Sequence, residues 1–374
     1  MKGLKKVVSI ILAIMMVISI MPITANATSG TCGKHLTWNF DESAGMLTIS
    51  GNGEMYNYGE GGPFEKYCDS IKTVDIEYGV TSISDYAFSY CENLTSITIP
   101  DSITSIGEYA FEYCTSLTRV TIPDSVTIIG ECAFVGCTSL INIIVGNNNP
   151  SFLCDEYGVL FNKDKTTLIQ YPVGNTKTSY TIPNSVTTID GCAFANSSNL
   201  TSLIMPNSVT SIGGSAFQDC TSLVSVTIPN SVTSIGDFVF NNCTSLVSIT
   251  IPDSVISIGF SAFGYCSNLE SVTIGDNVTL IGDYAFFYCT SLTNIIVPGS
   301  VISIGDAAFF HCSNLESVTI GDDVTSIGDD VFFYALVLPM YIFQAQKNSG
   351  IKYRPIQALE QIQQFIITPM VQMI

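Results

Sequence analysis

A phenylalanine returns every 23 residues, at Phe88, Phe111 and Phe134, then at Phe194, Phe217, Phe240, Phe263, Phe286, Phe309 and Phe332. A cysteine follows three residues behind, at Cys91, Cys114 and Cys137, then at Cys220, Cys243, Cys266, Cys289 and Cys312. So strict a period means one supersecondary unit stacked many times, because each unit must hide its apolar face on its neighbours. It overrides the two or three ordinary domains that 374 residues would otherwise suggest.

One clean unit, Leu94 to Thr115, places Leu94, Ile97, Ile99, Ile103, Ile106, Ala110, Phe111 and Cys114 at its small or apolar positions. The next unit answers with Leu117, Val120, Ile122, Val126, Ile129, Ala133, Phe134 and Cys137. These offsets are not helical. Ile97 and Ile99 give strand alternation, Ile103 and Ile106 suit a second short extended piece, and Pro100 separates the two. Gly107 ends the second piece, and Glu108 to Tyr113 has room for one helical or 3-10 turn. Stacked coils then pair strand to strand in parallel. Roughly eleven coils, at about 4.8 Å each, make a rod about 50 Å long. The inward side chains become continuous ladders of Leu, Ile, Phe and Cys, and the Phe rings can stack.

The opening Leu94-x-x-Ile97-x-Ile99, with the longer phrases VSVTIPNSVTSIGDFVFNNC at Val224 to Cys243 and VSITIPDSVISIGFSAFGYC at Val247 to Cys266, resembles the BspA-like leucine-rich-repeat family of secreted and surface proteins. The resemblance covers roughly residues 30 to 335 and implies a right-handed β-rich superhelix. One departure is the usual Asn-ladder position. It holds Ser102, Ser125, Ser185, Ser208, Ser231, Ser254, Asn277, Ser300 and Asp323. A hydroxyl there can bond a neighbouring backbone group, with fewer donors than Asn.

The rest of the chain departs from the repeat in three places. Lys2, Lys5 and Lys6, the apolar run Val7 to Ile20, Pro22 and Ala25-Asn26-Ala27 have the three-part form of a signal peptide over residues 1–27. An uncleaved anchor helix is the alternative. Residues 28–67 lack the repeat; His35 to Phe40 and Gly45 to Ser50 read as a β-hairpin that caps the first coil, with Trp38 in it. The solenoid runs over 68–338, interrupted at about 146–179, where Gly158 to Phe161 and Thr167 to Tyr171 read as a hairpin flap on one edge of the rod. Residues 339–374 fit no coil and read as an irregular C-terminal cap or tail.

Charged residues make up only 12% of the chain and the net charge is −19, or −22 once Lys2, Lys5 and Lys6 leave with a signal segment. That balance argues against nucleic acid and anionic lipid as partners. Between Leu94 and Gly328 the only basic residues are Arg119, Lys163, Lys165 and Lys177.

Of the 13 cysteines, nine share the ladder when Cys68 is counted. Ser197 and Ala335 each replace a rung alone, which suits a buried thiol better than an obligatory pair. Cys132 and Cys192, on either side of the insertion, are the best candidates for one disulfide. No Cys-x-x-Cys or His-x-x-x-His pair occurs, so neither a metal nor another cofactor is expected. Asp101, Asp124, Asp253, Asp276 and Asp322 line up, but Asn184, Asn207 and Asn230 share their turn position, so local hydrogen bonding explains them better than calcium. No nucleophile elbow or phosphate loop appears, and Cys312 beside His311 is a ladder rung that points inward; the chain does not read as an enzyme.

Two surfaces remain. The outward strand positions, such as Thr95, Ser96 and Thr98, form a flat hydroxyl-rich face; solubility explains it best, and an extended docking face for another protein is the alternative. Just before the Cys ladder the C-terminal half turns aromatic, with Tyr265, Phe287, Tyr288, Phe310, His311, Phe333 and Tyr334. These are candidate binding residues, or else they pack the turns against each other and against the tail. The family resemblance implies adhesion: a secreted, non-catalytic protein, extracellular or associated with a cell surface, that binds a protein ligand on host matrix or another cell. A structural spacer rod and a carbohydrate-binding surface protein are the alternatives.

Overall fold

The computed structural model describes residues 27–335 except residue 60. The expected signal segment, but for residue 27, and the expected C-terminal cap or tail lie outside the described residues.

The first three strands, β1 (Ala27–Gly33), β2 (Leu36–Asp41) and β3 (Met46–Gly51), form an antiparallel meander. β2 and β3 are the expected hairpin; β1 is an addition to it. Trp38 lies buried in this meander, its ring 5.9 Å from Phe64 and 5.4 Å from Tyr67. β3 then pairs in parallel with Thr73–Ile76, so the meander passes its register directly to the first coil.

From there the chain coils as a β-solenoid with, among the described residues, twelve strands down one side, β3 included and most of them the longer of their coil, one more than the eleven coils expected from the period. The longer strands pair in parallel, Thr73 with Ser96, Ser202 with Ser225, Ser248 with Ser271 and Asn294 with Ser317, each step being one period. Short strands pair the same way, as Ser82 with Ser105 and Ser257 with Leu280.

The third side of each coil differs from the helical turn expected there. Among the described residues the one 3-10 segment is Glu65–Tyr67, in the N-terminal region. Each coil instead carries two residues at positive φ, four apart, such as Tyr86 (54°) and Tyr90 (59°), or Tyr284 (58°) and Tyr288 (57°). The reason lies in where the N–H groups point. Those of Tyr86, Phe88 and Tyr90 donate to Glu108, Ala110 and Glu112 of the next coil, at 2.7–2.9 Å. Those of Ser89 and Cys91 turn back to Tyr86 and Phe88 within the coil, at 3.2 and 3.1 Å. A continuous helix would keep every N–H inside its own turn and leave the neighbouring coil unbonded. Coils also approach closely here. A Cβ on Gly259 would lie 2.6 Å from the backbone of Gly236 in the preceding coil, so the glycine here is steric in origin, whereas Gly236 itself has nothing nearer than 3.7 Å.

The Phe ladder fills the axis. Nine of its ten members are fully buried, and Phe332 at the end is half-buried. Consecutive rings lie 5.1–5.5 Å apart, nearly parallel. That spacing exceeds the strand separation of about 4.8 Å, so the rings are offset, the favourable stacking geometry. Two rungs were not anticipated. Phe64 stacks on Phe88 at 5.4 Å, and Tyr171 stacks on Phe194 at 5.3 Å. We expect Phe240→Leu, stacked on both sides, to lower stability by about 1–2 kcal/mol, and Phe332→Leu by less. Urea unfolding of both variants checks this, and an equal effect would mean that stacking contributes nothing.

The insertion is not a flap. Asn149 is fully buried and turns the chain inward: its Nδ2 donates to the Pro123 and Val126 carbonyls, and its Oδ1 accepts from the Ser151 and Phe152 N–H groups, all at 2.7–2.9 Å. Strands Phe152–Cys154, Leu160–Asn162 and Thr167–Gln170 follow in antiparallel order, and the last pairs in parallel with the coil strand Thr188–Ile189. Leu160 packs into the apolar core that extends back to Cys32, while Val159 and Phe161 pack into the core that extends on to Ala335. The hairpin is therefore the joint between two cores. A surface flap would leave both of those cores open to water at their facing ends, which is why the apolar strand goes inside.

Candidate functional site

The cysteine ladder has the chemistry of a scaffold. In seven coils the Sγ donates to the carbonyl of the ladder Phe of the preceding coil, as Cys114 to Phe88 (3.2 Å) and Cys266 to Phe240 (3.1 Å). The thiol is a second donor to a carbonyl that already accepts an N–H within its own coil, as Phe88 does from Cys91 at 3.1 Å. Burial pushes the Cys137, Cys220, Cys266 and Cys312 thiols up to about 12, and raises Cys114, Cys243 and Cys289 well above the ordinary thiol range. These groups stay protonated and unreactive at neutral pH. The ladder is not wholly thiol, however. Cys68 and Cys91, its first two rungs, form a disulfide, which corrects the expectation of free sulfurs throughout. A second disulfide joins Cys132 and Cys192, the best candidate pair in the sequence.

His311 and Cys312 do not form a dyad. The Cys312 thiol donates to the Phe286 carbonyl at 3.2 Å, while the His311 ring lies flat on Tyr288, centroids 4.3 Å apart. Its Nδ1 is buried without a hydrogen-bond partner.

Polar groups along the rod serve its own backbone. Asp253 Oδ1 accepts the Asp276 N–H at 2.9 Å, and Asp283 and Asp306 accept the N–H one coil on at 2.8 Å. The Ser208 and Ser300 hydroxyls donate to the Val186 and Val278 carbonyls at 2.7 Å, filling the role of the Asn ladder. Thr95, Thr104 and Thr279 hydroxyls donate to the carbonyl one coil back at 2.9–3.1 Å. Among the described residues no three His, Cys, Asp or Glu side chains converge as a metal site would require.

The aromatic positions are brought together. Tyr265 stacks on Tyr288 at 5.5 Å, Phe287 on Phe310 at 5.1 Å and Phe310 on Phe333 at 5.6 Å. His311 bridges Tyr288 to Tyr334, whose centroid is 5.7 Å away. The two readings of the sequence meet here: the rings do pack on one another, yet Tyr265 keeps 47% and Tyr334 66% of its surface in water. Phe287, Tyr288, Phe310, His311 and Phe333 are half-buried. The stripe is wider than the sequence indicated, since Tyr284 contacts Phe287 at 5.2 Å and extends through Phe260 to Phe238.

A shorter stripe at the N-terminal end went unnoticed, with Tyr86 stacked on Tyr109 and Tyr90 on Tyr113, both at 5.1 Å. Its signal was in the period, because these tyrosines occupy the same two positions as Tyr284 and Tyr288. It stops at Gly136, whose Cβ would strike the Tyr113 ring at 2.6 Å.

The backbone does not demand aromatics here. Tyr265, Tyr288, His311 and Tyr334 sit at φ 57–61°, and other coils fill the same left-handed position with Gly136, Asn196 and Asn242. A bulky side chain in that conformation costs about 1 kcal/mol or more relative to glycine.

Among the described residues no helix is long and apolar enough to cross a membrane. No curated protein matches the chain. A solved leucine-rich repeat protein from Eubacterium ventriosum superposes with TM-score 0.67 at 26% identity, over 87% of this chain and 98% of its own. A leucine-rich cell surface protein from Faecalibacterium prausnitzii gives TM-score 0.56 at 32% identity, over 76% of this chain and 65% of its own, so the match spans under two thirds of that relative. The BspA type leucine-rich repeat region matches in six copies over residues 63–155, 174–286 and 215–338. With nearly the whole solenoid matched, the chain belongs to the BspA-type leucine-rich repeat family.

Proposed function

We propose that this is a secreted, non-catalytic binding protein that acts at a cell surface, and that the stripe from Tyr265 to Tyr334 docks a protein on host matrix or on another cell. The carrying observation is the choice of residues. Four of the stacked rings, Tyr265, Tyr288, His311 and Tyr334, occupy a backbone position where glycine or asparagine sits at lower cost in other coils, and Tyr265 and Tyr334 are exposed. Contiguous exposed aromatics are characteristic of contact surfaces. The two disulfides fit an oxidising compartment, and one structural relative carries the name of a cell surface protein. Affinity would come from many weak contacts along a rigid face.

The test is saturable binding of the full chain to a panel of matrix proteins and whole cells, set against Tyr265→Asn/Tyr288→Asn/Phe310→Gln. Other coils carry these residue types at the same positions, Asn242 and Gln218 among them, so the variant keeps the fold. We expect about a tenfold or greater loss of affinity, from removing three aromatic anchors. Unchanged binding would take the site away from the stripe. Binding confined to a glycan array would favour a sugar platform, and no binding anywhere would favour a spacer rod.

A further inference from the structure

The aromatic stripe lies in a part of the chain with no cation of its own. Residues 178–335 contain 13 Asp and Glu and no Lys or Arg. In sequence, exposed carboxylates stand both before and after the ring positions. Asp283 and Asp306 are exposed at the entrance of the turn segments, and Glu270 and Glu316 are exposed at the start of the longer strands. Each entrance carboxylate spends one oxygen on the next coil's N–H, so the other oxygen is open. The uncovered ring surface of Tyr265, Tyr284 and Tyr334 attracts a cation through the ring quadrupole, and the carboxylates of the same coils add to it.

Building on the docking role proposed above, we infer that the partner segment seated on this stripe is an arginine-rich polypeptide. Guanidinium fits better than ammonium, since it is planar, stacks on aromatic faces and bonds a carboxylate with two parallel N–H groups. The exposed rings of Tyr265, Tyr284 and Tyr334 supply stacking surface in three coils, and the Asp and Glu side chains of the same coils supply acceptors. An acidic or purely apolar segment would find carboxylates and nothing to neutralise them.

The experiment is fluorescence anisotropy of the full chain with a labelled (Arg-Gly)6 peptide at 0.15 M salt, beside a (citrulline-Gly)6 peptide that keeps shape and loses charge. We expect (Arg-Gly)6 to bind saturably and the citrulline peptide to bind about tenfold more weakly or not at all. Tyr265→Asn/Tyr288→Asn/Phe310→Gln leaves the net charge unchanged and is expected to weaken (Arg-Gly)6 about tenfold. Asp283→Asn/Asp306→Asn is expected to weaken it severalfold, whereas Asp253→Asn/Asp276→Asn, equal in charge but at the corner between the strands, changes it less than about twofold. Equal binding by the uncharged-ring variant would show mere attraction to an acidic rod and overturn the inference, as would equal binding of the citrulline peptide or no binding of (Arg-Gly)6. If the ring variant loses matrix or cell binding while the wild type ignores (Arg-Gly)6, the docking role stands and the arginine-rich partner does not.

Discussion

Raising the pH from 8 to 10 is expected to unfold the chain. Seven ladder thiols, at Cys114, Cys137, Cys220, Cys243, Cys266, Cys289 and Cys312, are free and buried. Burial raises each of them above the ordinary value of 9.0 for a thiol, several to about 12. The sign follows from which state holds the proton. In the folded chain the thiol stays protonated, while in the unfolded chain it ionises near pH 9, so the unfolded state gains stability as pH climbs. The stabilisation is fully present below about pH 9 and is lost progressively from there toward pH 12. One pH unit past the unfolded value amounts to about 1.4 kcal/mol per thiol, or about 10 kcal/mol over the set at pH 10. That is comparable to the entire stability of an ordinary domain. Circular dichroism during short exposures from pH 8 to 11 measures the midpoint. Cys243→Ala/Cys266→Ala/Cys289→Ala should move it upward and flatten it; Ala335 already occupies one rung of the ladder. A midpoint that ignores this substitution would mean that the thiols titrate without unfolding anything.

The second large effect concerns the joint. Cys132–Cys192 spans 60 residues of chain, and closing a loop of that length restrains the unfolded state by about 4 kcal/mol. It also straddles the insertion. Its sulfurs, with Val135 and Ala195, form a small cluster apart from both main cores. Cys132→Ser/Cys192→Ser is therefore expected to cost about 4 kcal/mol and to change the shape of unfolding, because two cores held by one hairpin become separable. Differential scanning calorimetry should show one transition in the wild type and two in the variant. A single transition shifted by less than 1 °C would deny the bridge any role in coupling them.

The coil itself was legible because every position recurs many times; the strand pairs and the ladders follow from a repeating apolar pattern. The turn segment was not, since its alternating N–H directions depend on a neighbour that a single repeat does not contain. The joint was half legible. Two of its three strands were placed within about two residues, which is ordinary precision for an element boundary, and Phe152–Cys154 was not placed. Their burial was missed, although counting one period back from Phe194 lands on Tyr171 and marks it as a ladder member. Asn149 carried no signal at all, because a polar residue among polar residues looks like a loop until its four hydrogen bonds are seen. For the candidate site, sequence spacing found the aromatic column but not its exposure, which depends on how far each ring leans on the next coil.

Near-identical coils bring a hazard of miscounting. A strand that seeks a parallel partner finds several equally good ones, and skipping a coil during folding would leave most contacts satisfied. The interior hairpin breaks this degeneracy. Leu160 fits only one of its faces to the first half, Val159 and Phe161 fit only the second, and Asn149 has a single pair of carbonyls to grip. The irregular segment thus works as an index mark: it tells an otherwise ambiguous polymer which slice comes fifth.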